Sequence, residues 1–279
     1  MPLITEGKTK QIFSLPHTPN VHVVSKNDIT AGDGKKHDLI VGKAKLATDT
    51  TCHVFRLLGR HGLPIAFNRR VDDITFEAPR CEMFPYEVVS RIEAHGSALK
   101  RDPALTKGHR FPEVVVEFFL KTRGRKWLNY DLPCDDPLIH FVWNENRDMV
   151  LRVELFLPDK PIAEQTPFLT LGPIEVFLTK NEEQHLKEME RISKEAFLIV
   201  EKAWANIGRK LVDWKIEFGR DNKGRVRIAD VIDNDSWRVL EDGQYIDKQA
   251  YRDGEGINEV TAKYLKVAEL TGTDPFLLT

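Results

Sequence analysis

Residues 211–219 (LVDWKIEFG) alternate strictly between apolar and charged positions. Val212, Trp214, Ile216 and Phe218 fall on one face of an extended segment, and Asp213, Lys215 and Glu217 on the other. This pattern predicts a strand with a core face and a charged face. Residues 225–232 (RVRIADVI) follow the turn-forming residues Asp221, Asn222, Lys223 and Gly224 and predict a partner strand. With those four residues as the loop, Arg220 opposes Arg225, Glu217 opposes Ile228 and Lys215 opposes Asp230. Asp230 then lies diagonal to Glu217, about 7–8 Å away between backbones. It shares the polar face with Ile228 and Ile232, while Ala229 and Val231 meet the core.

Helical spacing marks other regions. Leu186, Met189, Ala196, Phe197, Val200, Ala203, Trp204 and Ile207 recur at three- and four-residue steps, predicting a helix over 182–207. Thr179 with Glu182 resembles a capping box, and Gly208 closes the far end. A second helix is expected over 43–60, stopped by Gly62 with Pro64 beyond, and a terminal one over 259–270. Residues 10–14 and 21–25 read as a hairpin around the turn-rich 16–20. Further strands are expected at 113–120, 150–157 and 174–178, with several short ones between 63 and 89. Residues 28–36 (DITAGDGKK) read as a polar loop with two glycines. Strands come first, a long helix late, then another hairpin and a last helix. This is an α+β order and not regular βαβ alternation.

Composition narrows the class. At 279 residues the chain suits one large domain or two small ones, with 41% hydrophobic and 30% charged residues, as in soluble globular proteins. Forty-one basic against 43 acidic residues leave a net charge of -2, which argues against a broad nucleic-acid surface. A small basic pocket for a phosphorylated metabolite would be invisible in that sum. No secretory signal is visible, and the apolar runs are far shorter than the roughly 20 residues that span a bilayer. Cys52, Cys81 and Cys134 are odd in number and widely spaced, which suits a reducing compartment better than a disulfide framework or paired zinc site. A cytoplasmic protein is expected.

Four regions carry candidate chemistry. Glu217, Asp230 and Lys215 on a partly apolar face are costly to leave unpaired. A divalent cation between the two carboxylates, completed by phosphate oxygens, would account for them. A solvated strand face with cross-strand ion pairs is the plain alternative. Beyond them, Asp233-Asn234-Asp235-Ser236-Trp237-Arg238 reads either as an Asx-rich turn or as a turn that presents Arg238 to a phosphate or carboxylate. Near the start, Thr5-Glu6-Gly7-Lys8-Thr9-Lys10 combines a glycine with two lysines that share a side if extended, suited to a polyphosphate but lacking the Walker spacing. Arg91, Ser97 and the His95-Gly96 corner form a weaker anion candidate, equally explained by a basic helix end.

Taken together, GKTK, DITAGDGKK, SRIEAHGSALKR, LVDWKIEFG and ADVIDNDSWR resemble, in order and approximate spacing, the SAICAR synthetase family of purine biosynthesis (phosphoribosylaminoimidazole-succinocarboxamide synthases). DNDSWR and the later DKQAYR at 247–252 are similar to the form in the animal bifunctional enzyme. The resemblance implies ATP-dependent joining of L-aspartate to carboxyaminoimidazole ribonucleotide (CAIR), with magnesium, through an acyl phosphate. It implies a β-rich, distantly kinase-like N-terminal lobe at 1–85 and a larger α/β lobe at 86–279, with ATP held between them. By the same resemblance Lys8 and Lys10 contact ATP phosphates, Lys121 contacts ATP, and Glu82 and Met83 lie by the adenine. Glu217 and Asp230 hold magnesium, and Lys215 neutralises the transferring phosphoryl group. Arg91, Ser97 and Arg238 take the ribonucleotide phosphate, Asp33 lies near the reacting groups, and Asp235 touches substrate.

No protein nucleophile is needed for that chemistry, and the cysteines lie outside the motifs. The chain departs from the family after Lys121, where Thr122-Arg123-Gly124-Arg125-Lys126 replaces an acidic pair and enlarges a basic loop, and over 146–175, where an added hairpin is expected. With nothing after Thr279, a single catalytic step is expected. A small-molecule kinase sharing the ATP site stays open, as does a nucleotide-binding scaffold. Retention of Lys8, Lys215, Glu217 and Asp230 together argues against the scaffold. The oligomeric state, a homo-oligomer included, is left open.

Overall fold

The protein is described from a computed structural model over residues 1–31, 36–122, 124–177 and 181–277. The chain opens with strands β1 (Leu3–Glu6), β2 (Lys10–Ser14), β3 (Asn20–Ser25), β4 (Asp28–Ala31) and β5 (Lys36–Leu39), then helix α1 (Lys43–Arg60). Strands β6 (Arg69–Arg70), β7 (Thr75–Pro79) and β8 (Glu82–Glu93) follow, then α2 (Ser97–Arg101) and β9 (Arg110–Leu120). Next come β10 (Lys126–Trp127), β11 (Tyr130–Asp131), β12 (Leu138–Trp143), β13 (Val150–Phe156), β14 (Leu169–Leu171) and α3 (Pro173–Val176). The last third holds α4 (Glu182–Asn206), β15 (Lys210–Arg220), β16 (Val226–Ala229), β17 (Trp237–Glu241), β18 (Gln244–Tyr245), α5 (Gln249–Arg252) and α6 (Ile257–Thr271).

Two compact units result: Met1–Met83 with Leu198–Thr279, and Phe84–Phe197.

In the first unit, β1-β2-β3-β7-β6 form an antiparallel sheet, with β2 and β3 paired as the expected hairpin. Alternate residues of β3, Val21, Val23 and Ser25, are buried. The Ser25 and Thr48 hydroxyls share a buried 2.8 Å hydrogen bond that fixes β3 to α1. Phe55 of α1 meets Phe76 edge-on with ring centres 6.1 Å apart, and Phe67 tilts against both. A second cluster gathers Ile29, Ile40, Tyr251, Val260 and Tyr264. β15 carries β17 along Lys210–Trp214 and β16 along Glu217–Arg220. Residues 64–66 bind the other side of β16, Ile228 N donating to Pro64 O at 2.8 Å and Ala66 N to Ile228 O at 2.8 Å.

In the second unit the strand order is β14-β13-β12-β9-β8. Tyr86, Phe118 and Phe141 contact one another edge-on, with centres 5.6–6.0 Å apart. Ser90 of β8 and Ser193 of α4 share a buried 2.6 Å hydrogen bond.

Two expected elements differ. The strand expected at 174–178 is instead the one-turn helix α3, because Pro173 suits a first helical turn and Glu175 Oε2 accepts the Gly172 amide at 2.8 Å. The polar loop expected over 28–36 contains strand pairing: β4 and β5 form an antiparallel ladder, with Ile29 buried and Asp28 Oδ1 2.8 Å from His37 Nε2. Thr179, half of the expected capping box, and Asp33 lie outside the described residues. Among the described residues no helix is long and apolar enough to cross a membrane.

Candidate active site

The hairpin of β15 and β16 forms with a register one residue away from the expected one. Asp221 N donates to Arg225 O at 3.0 Å, and Gly224, at φ +77°, turns left-handed to donate to Asp221 O at 2.9 Å. The loop therefore takes five residues, and Arg220 opposes Val226, Phe218 opposes Ile228, and Glu217 opposes Ala229. Ile228 accordingly lies on the core side with Phe218, and Ala229 on the side of Glu217, the reverse of the expected placement. Asp221 locks this turn. Its carboxylate accepts the amides of Lys223 and Arg225 and the side chains of Arg225 and Arg227 at 2.7–3.0 Å. Burial would raise its pKa, but these donors outweigh burial and hold the carboxyl well below its usual range.

Asp230 still reaches Glu217, by another route. It follows the end of β16 in a left-handed conformation at φ +71°, so its side chain leaves the regular alternation. Its Oδ1 accepts the Val231 amide at 2.6 Å and the Lys10 ammonium. Burial opposes the charge on Lys10. The carboxylates of Asp230 and Glu217 outweigh it and raise the ammonium's pKa, with Lys215 pulling the other way. Four of the predicted residues, Lys10, Lys215, Glu217 and Asp230, thus form one charged cluster. The charged face of β15 is not solvated: Glu217 is 7% exposed, Asp213 is buried and Lys215 half-buried.

Whether this cluster suits a divalent cation is a question of donors. Two carboxylates supply hard oxygen ligands and already draw a cation, the Lys10 ammonium, toward them. Among the described residues no group of three or more His, Cys, Asp or Glu side chains could hold a metal. Two carboxylates alone fit magnesium only in the form that keeps water and phosphate oxygens as its other ligands.

Lys8 does not share a strand with Lys10. It lies exposed in the bend between β1 and β2, where Gly7 N donates to Lys10 O at 2.9 Å. Glu82 and Met83 are exposed at the start of β8, and Glu82 Oε2 accepts Arg220 Nη2 at 2.7 Å. Gly219 stands against them, closer than any side chain at that position would allow. Sequence reading missed that role, although a glycine ending an alternating strand was its signal.

The 233–238 turn is built differently. Asp235 Oδ2 accepts Lys248 Nζ at 3.1 Å and Lys43 Nζ at 3.4 Å, and Oδ1 accepts the Tyr264 hydroxyl. Lys43, 0% exposed, was missed from sequence because it lies in an ordinary helix-start segment. Burial would raise the pKa of Asp235, but the two lysines outweigh it and lower the pKa, while burial and the Asp235 charge raise that of Asp233. Arg238 lies opposite Asp213 and donates to it through Nη1 at 2.6 Å, and through Nε to Gln249 at 3.2 Å. Asp247, wholly buried, accepts the Val239 and Gln249 amides at 2.7 Å each, and burial pushes its pKa up to about 7.

In the second unit, Arg91 is buried and donates through Nε and Nη2 to Glu117 Oε2 at 2.8 Å. Arg101 donates to both oxygens of the same carboxylate, at 2.5 and 2.6 Å. Ser97 opens α2 four residues before Arg101. The backbone of Lys121 donates to Pro85 O at 2.8 Å, and the following Thr122 is tied to Asp135 and Asp136 at 2.8–3.0 Å, which closes the basic loop. None of the three cysteines forms a disulfide, and burial pushes each thiol up to about 11, so none supplies a thiolate near neutral pH.

A family model described as SAICAR synthetase matches residues 3–129 and 162–269. A Chloroflexus aurantiacus protein named phosphoribosylaminoimidazole-succinocarboxamide synthase is 37% identical over 279 residues, covering 97% of this chain and 96% of that one. The Gallus gallus multifunctional protein ADE2 is 37% identical over 273 residues, covering 95% of this chain and 55% of its own length. The crystal structure of phosphoribosylaminoimidazole-succinocarboxamide synthase from Ehrlichia chaffeensis shares the fold, with a TM-score of 0.72 at 24% identity, covering 98% of this chain and 100% of that one. A structure titled SAICAR synthetase (Type-2) in complex with ADP aligns with a TM-score of 0.69 at 24% identity, over 98% of this chain and 99% of that one. The segment the family model leaves unmatched, 130–161, contains the β12–β13 hairpin. With the family's signature strand folded as β15 and its carboxylates gathered on Lys10, the chain belongs to the SAICAR synthetase family.

Proposed function

We propose that the cluster of Lys10, Lys215, Glu217 and Asp230 is the phosphoryl-transfer centre of an ATP-dependent ligase that joins L-aspartate to CAIR, yielding SAICAR, ADP and phosphate. The observation that carries this reading is the convergence of two lysines and two carboxylates from separate segments. Phosphoryl transfer asks a protein mainly for positioning and for positive charge around the phosphoryl oxygens. Glu217 and Asp230 would hold magnesium, which would offset the charge of the ATP phosphates. Lys8 and Lys10 bind the ATP phosphates, with Lys121 as a further contact. Lys215 faces the group in transfer.

A carboxylate is a poor acylating agent. The CAIR carboxylate therefore attacks the γ-phosphorus, releasing ADP and forming an acyl phosphate. The aspartate amine then attacks the acyl carbon, losing a proton and expelling phosphate. Glu82 and Met83 take the adenine. Arg91, Ser97 and Arg238 take the ribonucleotide phosphate. The remaining donors of the Arg238 guanidinium suit that role, since Asp213 and Gln249 fix its plane. Asp33 is assigned to the reacting groups. Asp235 acts on substrate through the lysines and tyrosine that surround it. The protein works in the cytoplasm on small-molecule substrates.

The test is an ADP-release assay with each substrate omitted in turn and mass detection of the product. ADP formation that needs both CAIR and aspartate, with SAICAR as product, is expected. ADP formed without aspartate, accompanied by a stable phosphorylated product, would make the protein a kinase.

A further inference from the structure

Gly219 lies two residues beyond Glu217 on β15. A β-carbon built there would sit 2.6 Å from Cys81 Cβ, 3.0 Å from Met83 Sδ and 3.2 Å from the Glu82 carbonyl oxygen. Real β-carbons do not approach other atoms at 2.6 Å. Only the methionine sulfur is the flexible end of a side chain; Cys81 Cβ is bonded directly to the backbone and the carbonyl is part of it. A side chain at 219 would therefore lift the whole 81–83 segment off the strand. On the next residue, Arg220 Nη2 donates to Glu82 Oε2 at 2.7 Å, so the segment is drawn to β15 by its own ion pair as well. The backbone at 219 is not left-handed, so the glycine is explained by this close approach and not by its φ angle.

We propose that Gly219 is a positioning residue for the base of the nucleotide: lacking a side chain, it seats Cys81, Glu82 and Met83 directly on the strand that carries Glu217. The segment that meets the base and the carboxylate that meets the phosphates are then both held by β15, so the strand fixes the spacing between them. The inference rests on the reading that Glu82 and Met83 take adenine. Its ligand chemistry is that of a purine nucleotide whose base and phosphates must both be reached.

The experiment compares ADP with pyrophosphate, each with magnesium, by calorimetry on the full chain, alongside steady-state kinetics. Gly219→Ala is expected to weaken ADP binding and raise the KM for ATP about tenfold, the effect of a forced shift in a packed contact. Pyrophosphate binding, which has no base to position, should stay within about twofold, and kcat at saturating ATP within about threefold. Cys81→Gly removes the nearest colliding atom, so the double variant Cys81→Gly/Gly219→Ala should recover most of the ADP affinity. It carries the same prediction should Gly219→Ala alone fail to fold.

Equal losses for ADP and pyrophosphate, or a double variant no better than Gly219→Ala, would overturn the inference. A wild-type chain that binds pyrophosphate as tightly as ADP would overturn the adenine assignment itself. A wild-type preference for ADP that Gly219→Ala leaves intact would overturn the positioning role alone.

Discussion

The β15–β16 hairpin and the 233–238 turn are both rich in Asp, Lys and Arg, and both invite a ligand when read as sequence. In the hairpin, Glu217 and Asp230 share a lysine that comes from a distant strand and is itself pulled by both. In the turn, Asp235 is held by Lys43, Lys248 and Tyr264, and Asp233 accepts the Asp235 amide at 2.9 Å. On the proposed reading, the first arrangement gives up its ammonium to a metal ion. The second is closed, and opening it would strand a buried charge. Similar composition thus serves phosphoryl transfer in the hairpin, while in the turn Asp235 fixes the lysines and tyrosine through which it acts on substrate. The source of the counter-charge tells the two apart.

Substitutions can break this contrast. Glu217→Gln keeps the shape and removes the charge, and turnover should fall about a thousandfold or more if the carboxylate acts on the phosphoryl oxygens through a metal. The urea midpoint should hardly move. Unchanged turnover would place Glu217 with the structural charges. Lys43→Met should do the reverse, lowering stability by about 3 kcal/mol as the buried Asp235 loses a counter-charge. Urea unfolding measures it, and a loss below about 0.5 kcal/mol would show that the turn is not closed.

The smallest effect concerns pH and Asp247. Its folded pKa, near 7, is above the usual carboxylate value. Its protonated form therefore supports the fold fully below the unfolded value, and that support is lost as pH rises through about 7. Against Asp247→Asn, whose side chain does not titrate, the wild type should lose about 2 kcal/mol between about pH 5 and about pH 8. Constant difference between the two unfolding midpoints across that range would refute it.

Much of this was legible in the chain because it depends on local periodicity. The alternation of 212–218 and the stripe from Leu186 to Trp204 each place their apolar residues in a core, and α1 ends where Gly62 and Pro64 predict. Register was not legible. It turned on one left-handed glycine and on an Asp221 side chain that competes with the backbone for the turn's donors. The partners of Asp235 and Arg238 were hidden for a different reason: Lys43 is 192 residues from Asp235 and Asp213 is 25 from Arg238, so only the tertiary fold brings them together. Likewise, 28–36 looks like a loop by its glycines and lysines, while Asp28–Ala31 pairs with Lys36–Leu39.

The left-handed backbone of Asp230 limits how this position can change over evolutionary time. That region of φ and ψ is entered readily by glycine, asparagine and aspartate and reluctantly by longer or branched side chains. Glutamate, the obvious acidic replacement, is therefore disfavoured by the main chain before charge is considered. A lineage that drifted here would arrive first at asparagine or glycine, keeping the turn while losing the carboxylate, so an inherited fold with a silent centre is one base change away from a working one.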